Sequence, residues 1–233
     1  MRIGLLKCDH VLDQFESIAG DYQKMVATML EQHSAELVVF DAYANELPDR
    51  PKTCDAYIIS GSSASVYEDK QWIRDLESFV RTAAEESVPI FGICFGLQVM
   101  ATALGGAVKR SDRGWGVGVH AMQVIRKRPW MRPHEDTISL IMLHQDQVVA
   151  LPDGATVLGS SDHCPNFLVE FGPGLVGVQG HPEFPPAYAK ALYTDRRERL
   201  GDLTEPAIES LASSTSETVI SKWMQAMFQA LVE

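Results

Sequence analysis

The fold is decided by residues 89–100, PIFGICFGLQVM. An apolar run with strand character is followed there by a helix-like segment that begins at Phe95. Gly92 and Gly96 lie two positions before and two positions after Cys94. This is the spacing of a nucleophile elbow, because small residues there let the strand and the helix approach each other. The stretch therefore predicts a strand, a sharp turn and a helix, with the Cys94 side chain at the end of a sheet.

Cys94 has two features that are typical of a catalytic thiol. The positive end of a helix dipole favours the thiolate, and the Phe95 amide would point toward an oxyanion formed beside the sulfur. A structural cysteine between two strand glycines would give the same sequence, since cysteine is one of the residues most often fully buried. A base elsewhere in the chain is needed to decide between these interpretations.

A candidate base follows a second short apolar strand, in residues 175–184, LVGVQGHPEF. His181 can accept the thiol proton and return it to a leaving amine, provided that another group holds the ring in one tautomer. Glu183, two residues later, can hold the far ring nitrogen and leave the near one for Cys94. Two metal ligands are the alternative, but zinc sites usually show a third or fourth ligand at recognisable spacing and none is evident here. We therefore expect no metal.

These motifs resemble those of the class I, or triad-type, glutamine amidotransferases. The family's G-x-C-x-G-x-Q elbow corresponds to residues 92–98, and its later G-H-P-E to residues 180–183. The strand and glycine turn over 57–62 resemble its second oxyanion-hole loop, and Trp115 lies in a segment that resembles the loop closing one side of its pocket. The resemblance spans roughly residues 1–184, and ordered motifs are far more specific than single ones. It implies a three-layer, flavodoxin-like α/β fold with a mostly parallel central sheet and helices on both faces.

The resemblance also implies three sets of site residues: a catalytic triad, an oxyanion hole and a set that binds the substrate amino acid. In that order these are Cys94, His181 and Glu183; Phe95 with Gly61 or Ser62; and Gln98, Gln145 and Asp146. The turn reads Gly-Ser-Ser where relatives often carry Gly-Gly-Pro or Gly-Ser-Pro, so the choice between Gly61 and Ser62 stays open. For Asp146 an Asp-containing turn before a strand is the alternative.

The implied reaction is hydrolysis of the side-chain amide of glutamine, in which Cys94 forms a γ-glutamyl thioester that water then cleaves. The resemblance leaves two kinds of enzyme open. One passes the ammonia to a separate synthetase subunit, as the amidotransferase subunit of GMP synthetase does. The other acts alone as a γ-glutamyl peptidase or hydrolase. A non-catalytic regulatory module of the same fold is a third alternative, which the presence of all three triad residues disfavours.

The composition is that of a globular protein with an acidic surface. Hydrophobic residues make up 45% and charged residues 22% of the chain, which is ordinary for a soluble domain. The formal net charge of −11 disfavours nucleic acid and anionic membranes as partners. The sequence shows no C-x-x-C pair, signal peptide or bilayer-long apolar stretch, which predicts a cytoplasmic protein. Gly105–Ala107 lacks G-x-G-x-x-G spacing and there is no P-loop, so no cofactor is expected.

Alternating periodicities predict a parallel sheet through residue 93, shorter strands to about residue 180, and helices after that. We expect one domain over residues 1–233 with a helical C-terminal extension at about 185–233. The charged cluster Asp195–Arg199 is interpreted as a solvated helix face. The predicted strands are 2–6, 36–41, 56–60, 88–93, 117–125, 138–143, 155–160, 166–170 and 175–179, and the predicted helices are 14–32, 70–86, 95–104, 188–200 and 215–231.

Overall fold

A computed structural model describes residues 1–30 and 35–232. Its strands are β1 (Arg2–Leu6), β2 (Glu36–Phe40), β3 (Ala56–Ile59), β4 (Ile90–Ile93), β5 (Ala107–Arg110), β6 (Gly116–Val124), β7 (Thr137–His144), β8 (Asp146–Ala150), β9 (Thr156–Ser160), β10 (Leu168–Gly172) and β11 (Leu175–Val178). Its α-helices are α1 (Asp13–Ala19), α2 (Tyr22–Leu30), α3 (Gln71–Glu85), α4 (Phe95–Ala103), α5 (Pro186–Asp195), α6 (Arg197–Leu200), α7 (Thr204–Ser210) and α8 (Glu217–Val232). None of these helices has both the length and the apolar character needed to cross a bilayer.

Nine strands form one sheet in the order β2-β1-β3-β4-β11-β10-β9-β6-β7. The first five strands of this order run parallel to one another, and the remaining pairings are antiparallel. Strands β5 and β8 form a separate antiparallel pair. Since the carboxyl ends of parallel strands meet at one edge of a sheet, the segments that follow β3, β4 and β11 come together at that edge.

Both faces of the parallel half are apolar, because successive strand residues point to opposite faces and each face is covered by helices. In β1, Leu5 packs in the core that contains residues of α2 and α8, whereas Leu6 packs in the core that contains residues of α3 and α4. In β3, Ile58 and Ile59 divide in the same way. The predicted three-layer α/β arrangement, with helices on both faces of a central sheet, is confirmed.

Every predicted strand is present, with ends that differ by two residues or fewer. The helix predicted over 14–32 is two helices, because Gly20, with a φ of 74°, ends α1; residues 31–32 lie outside the described residues. The helix predicted over 188–200 is likewise divided, into α5 and α6. The β5–β8 pair and α7 were not predicted from the sequence. The assignment of 1–233 to a single domain stays a prediction.

Strand β4 and helix α4 meet with almost no space between their backbones. A Cβ added to Gly92 would lie 2.4 Å from the carbonyl carbon of Gly96, and one added to Gly96 would lie 2.4 Å from the carbonyl oxygen of Ile59. A side chain at either glycine would therefore force the backbone to shift. The strand, turn and helix predicted from residues 89–100 are confirmed, and their close contact explains the two glycines.

We expect Gly96→Ala to destabilise the protein by about 1–3 kcal/mol, the usual cost of overpacking. In an exposed helix the same change adds up to about 1 kcal/mol of stability, but here the new methyl group meets the backbone of β3 at Ile59. Urea unfolding measures the difference. Gly172→Ala is the matched control, because its Cβ would make one ordinary contact, 3.9 Å from Leu175 Cδ1. Equal unfolding free energies for the two variants would contradict the packing argument.

Candidate active site

Cys94 lies at the turn between β4 and α4, in the middle of the sheet. Its φ of 51° and ψ of −99° fall outside the regions that L-residues usually adopt. Neighbouring elements hold this conformation, because the Cys94 N–H donates to the Val178 carbonyl of β11 at 2.8 Å and the Cys94 carbonyl accepts from the Gln98 N–H at 3.2 Å. The side chain is placed at the N-terminus of α4, at the positive end of the helix dipole.

His181 and Glu183 lie just beyond β11 and are bonded to each other. Nδ1 of His181 is 2.8 Å from Oε1 of Glu183, and both side chains are buried. The backbone N–H of His181 donates to the Ile141 carbonyl of β7 at 2.8 Å. Phe184 stacks on the imidazole, with 4.0 Å between ring centroids and 11° between planes. These contacts fix the ring and leave Nε2 as the nitrogen that can serve another partner.

The sulfur, the imidazole and the loop after β3 meet at one edge of the sheet. A Cβ added to Gly61 would lie 2.9 Å from Cε1 of His181 and 3.9 Å from Cβ of Cys94. Cys94 and Glu183 are both close enough to the His181 ring to raise its pKa. The structure therefore brings together the three predicted triad residues, which lie far apart in the sequence. Across residues 1–30 and 35–232, no group of three or more His, Cys, Asp or Glu side chains is arranged to hold a metal ion.

Opposing effects act on the pKa of His181. Burial favours the neutral ring and lowers the pKa. The negative charges of Glu183 and of an ionised Cys94, together with the hydrogen bonds to both, outweigh burial and raise the pKa to about 10. The two neighbours therefore favour the protonated ring over the neutral one.

Gln179 also contacts the sulfur, although no sequence motif predicted it as a site residue. Its side chain is fully buried, and its Nε2 donates to Sγ of Cys94 at 3.4 Å. Its Oε1 accepts from Nε2 of Gln98 at 3.2 Å. Gln98 thus orients the Gln179 amide so that its N–H group faces the sulfur. The sequence feature that could have identified Gln179 is its position, directly after an apolar strand and two residues before His181.

The loop after β3 presents backbone N–H groups near the sulfur. Within the described ranges, the N–H groups of Gly61 and Ser62 have no acceptor in the protein, whereas the next N–H, of Ser63, donates to Oδ2 of Asp9 at 2.7 Å. Phe95 is the first residue of α4, and the first N–H groups of a helix have no partner within the helix. Free N–H groups on both sides of a nucleophile are what an oxyanion hole requires.

A cavity of about 220 Å³ opens over Cys94, and we call it the sulfur cavity. All three residues predicted to bind the substrate line it: Gln98, Gln145 and Asp146. Trp115 lines it as well, in agreement with the predicted position of its loop. A ligand in this cavity would reach the sulfur and the predicted binding residues together.

Gln98 already has partners within the protein. Its Nε2 donates to the Asp146 carbonyl at 2.9 Å as well as to Gln179. Nδ1 of His144 lies 3.1 Å from the same carbonyl. Gln98 thus fixes the corner between β7 and β8 that carries Asp146, and its contact with a substrate stays a prediction.

The Asp146 carboxylate faces the sulfur cavity from the start of β8. Oδ2 accepts from Oγ of Ser65 at 2.5 Å, and Oδ1 accepts from the hydroxyl of Tyr67 at 2.9 Å. Both donors are neutral, so the negative charge of the carboxylate is oriented but not cancelled. No sequence motif predicted that Ser65 and Tyr67 lie at the site.

The chain is similar in sequence to glutamine amidotransferases and γ-glutamyl peptidases. The sequence model of the family described as "Glutamine amidotransferase class-I" matches residues 15–197. A glutamine amidotransferase-like protein of Schizosaccharomyces pombe is 33% identical over 198 residues, which cover 78% of this chain and 79% of that protein. γ-Glutamyl peptidase 3 of Arabidopsis thaliana is 26% identical over 209 residues, which cover 85% and 82% of the two chains.

A glutamine-hydrolysing GMP synthase of Thermosipho africanus is 34% identical over 169 residues, which cover 70% of this chain and 31% of the synthase. Among solved structures, a glutamine amidotransferase from Thermotoga maritima aligns with a TM-score of 0.79 over 100% of this chain and 98% of that chain. The two are 21% identical, so this likeness shows the fold alone.

Proposed function

Since the chain belongs to the class I glutamine amidotransferase family, we propose that it hydrolyses the side-chain amide of glutamine through a γ-glutamyl thioester on Cys94. The observation that carries this proposal is the arrangement at the sheet edge. A cysteine on a strained elbow lies beside the His181 ring, both of them next to Gly61, and Nδ1 of that ring is 2.8 Å from Glu183. This is the geometry of an activated nucleophile, its base and the group that orients the base.

In the first half of the proposed reaction, the Cys94 sulfur attacks the amide carbon after His181 has taken the thiol proton. The carbonyl oxygen becomes an oxyanion, which accepts hydrogen bonds from the Phe95 N–H and from the N–H of Gly61 or Ser62. When the C–N bond breaks, the imidazolium returns its proton to the nitrogen, and ammonia leaves. The product on the enzyme is the thioester.

In the second half, a water molecule gives a proton to the neutral imidazole and attacks the thioester carbon. The same N–H groups stabilise the second oxyanion. The C–S bond then breaks, the sulfur regains a proton from His181, and glutamate leaves. Each half of the reaction uses the imidazole once as a base and once as an acid.

The sulfur cavity supplies the charges that a glutamyl group needs. The Asp146 carboxylate would pair with the substrate α-ammonium, and the Arg110 guanidinium, which lines the same cavity, would pair with the α-carboxylate. Gln145 also lines the cavity and can contribute through its backbone. The presence of Gln98, Gln145 and Asp146 on one cavity wall supports the proposal that they bind the substrate.

A second candidate function is hydrolysis of γ-glutamyl peptides without a partner. The alignment covers 82% of a γ-glutamyl peptidase but 31% of a GMP synthase. If ammonia is instead transferred, a synthetase has to receive it. Both candidates use the same thioester and differ in the group that leaves.

The experiment that tests the thioester uses hydroxylamine, which competes with water for the acyl group. With glutamine and with γ-glutamyl ethylamide as substrates, we expect the same ratio of γ-glutamyl hydroxamate to glutamate, because both substrates form one acyl-enzyme. The relative kcat/KM values then say which leaving group the enzyme prefers. A product ratio that changes with the leaving group would show that no common thioester is formed.

A further inference from the structure

A second cavity, of about 330 Å³, lies on the imidazole side of the triad, and we call it the imidazole cavity. Its walls include His181, Tyr188 and Phe184, and it does not include Cys94. Ser62, Ser63, Leu143, Arg196 and Arg199 line both this cavity and the sulfur cavity. The two cavities therefore meet at the loop that follows β3 and at the two arginines, one cavity on each side of the reacting atoms.

The chemistry of the proposed reaction assigns a different half of the substrate to each cavity. The acyl group is bonded to sulfur, so it belongs beside Cys94 and Gln98 in the sulfur cavity. The leaving nitrogen receives its proton from His181, so substituents on that nitrogen belong on the imidazole side. The imidazole cavity is in the position of a leaving-group subsite.

The size of the imidazole cavity exceeds what ammonia requires. A cavity needs roughly 10–15 Å³ of accessible volume to hold one water molecule, and ammonia is of similar size, whereas the accessible volume here is about 330 Å³. The space suits a leaving group as large as an amino acid or a small peptide.

Two arginines in the imidazole cavity have no carboxylate partner. Arg196, which caps α5, and Arg199, in α6, both line the cavity, and within the described ranges neither takes part in a salt bridge. Arg199 instead lies over the Trp115 ring, 5.2 Å from its centroid. Arg197, between them, is paired with Glu205 and lines neither cavity over the triad. Of these three arginines, the two that line the imidazole cavity are the ones without a salt bridge.

Two acids also line the imidazole cavity, but both are engaged at its margin. Asp9 accepts from the backbone N–H groups of His10 and Ser63, which ties it to the loop after β3. Asp195 accepts from Nε2 of Gln14, in the groove between α1 and α5. Asp9 and Asp195 keep their negative charges, since these donors are neutral, but some of their oxygens already accept hydrogen bonds. Arg196 and Arg199 are the charged groups on this wall that can donate to a carboxylate.

From these observations, and resting on the proposed function, we propose that the imidazole cavity binds the carboxylate of an amino acid or peptide leaving group through Arg196 and Arg199. The substrates of this class are γ-glutamyl amino acids and peptides. Guanidinium groups suit this task because their planar donor arrays match a carboxylate. Hydrolysis of such a substrate breaks the γ-amide bond, adds water and releases glutamate and the free amino acid or peptide.

The test compares γ-glutamyl-glycine with γ-glutamyl-glycinamide. The glycine of the first substrate ends in a carboxylate, and that of the second ends in a neutral carboxamide. In the unmodified protein we expect kcat/KM to be about 10-fold or more higher for γ-glutamyl-glycine, as charge-assisted hydrogen bonds allow. In the Arg196→Ala/Arg199→Ala double variant, the ratio of the two kcat/KM values should fall about 10- to 100-fold. The Arg196→Lys/Arg199→Lys variant should keep part of the preference, because it retains the charge.

Arg197→Ala is the matched control and should leave the ratio unchanged, since this arginine is paired outside the cavity. Equal kcat/KM for the two substrates in the unmodified protein would overturn the inference. So would an equal loss on both substrates in the double alanine variant, which would place the arginines at the glutamyl end. An enzyme that cleaves glutamine with a constant hydroxylamine ratio but ignores γ-glutamyl-glycine would refute the inference and leave the proposed function standing.

Discussion

Replacing Cys94 with alanine is expected to lower kcat/KM for any γ-glutamyl amide by about 10⁴-fold or more, to the limit of detection. The substitution removes the atom that forms the acyl bond, and no other thiol can reach the substrate, since Cys94 is the cysteine that lines the sulfur cavity. Glutamate release, followed with purified protein, measures the effect.

Cys54→Ala is the control for the loss of a thiol. Cys54 is buried near the amino end of β3, whereas the site lies beyond the carboxyl end of the same strand. We expect this variant to keep its activity. Turnover by Cys94→Ala at more than about a hundredth of the original rate would refute nucleophilic catalysis by this cysteine.

Replacing Glu183 with glutamine is expected to lower kcat by about 10²- to 10⁴-fold while the protein stays folded, because the amide is nearly isosteric but no longer fixes the tautomer and charge of His181. The change should also alter the pH profile. The Glu183 charge helps raise the pKa of His181 to about 10. The imidazolium is needed to protonate the leaving nitrogen, so activity should decline as the pH rises through that value.

Without the Glu183 carboxylate, the pKa of His181 falls, and the high-pH decline should move to lower pH in Glu183→Gln. A kcat/KM profile from pH 6 to 11 measures the shift. Glu170→Gln is the matched control, because Glu170 is also a carboxylate in an ion pair, with Arg128, but lies outside both cavities. A decline at the same pH in Glu183→Gln and in the unmodified protein would contradict the assigned role of Glu183.

The local pattern of residues predicted most of the fold. Alternation between strand and helix periods identified β1 to β4, and the two glycines around Cys94 identified the elbow, because each of these depends on residues close in sequence. The order of the antiparallel strands, and the pairing of β5 with β8, depend on contacts between distant residues that no local pattern records. The break between α1 and α2 depends on the positive φ of Gly20. A glycine allows a positive φ but does not require one, so the sequence alone does not predict the break.

The candidate site shows the same division. The triad residues lie in distinctive motifs, and the structure brings them together. Gln179 was missed because a buried glutamine at a strand end looks like any polar residue that ends an apolar run. The interpretation of Asp195–Arg199 as a solvated helix face agrees with the exposure of four of the five residues, but it missed that the half-buried Arg196 lines the imidazole cavity with Arg199. A spacing of three residues places two side chains on one side of a helical turn, which was the usable signal.

The backbone at residue 94 has a consequence for how this protein can change over generations. A non-glycine residue with a φ of 51° and a ψ of −99° costs on the order of 1–3 kcal/mol, and under the proposed function this strain directs the sulfur toward the substrate. A lineage released from selection for turnover could gain stability by substituting glycine there, since glycine adopts such angles freely. Retention of the cysteine in descendants would therefore indicate continued selection for catalysis, because a glycine at this position would give a more stable protein.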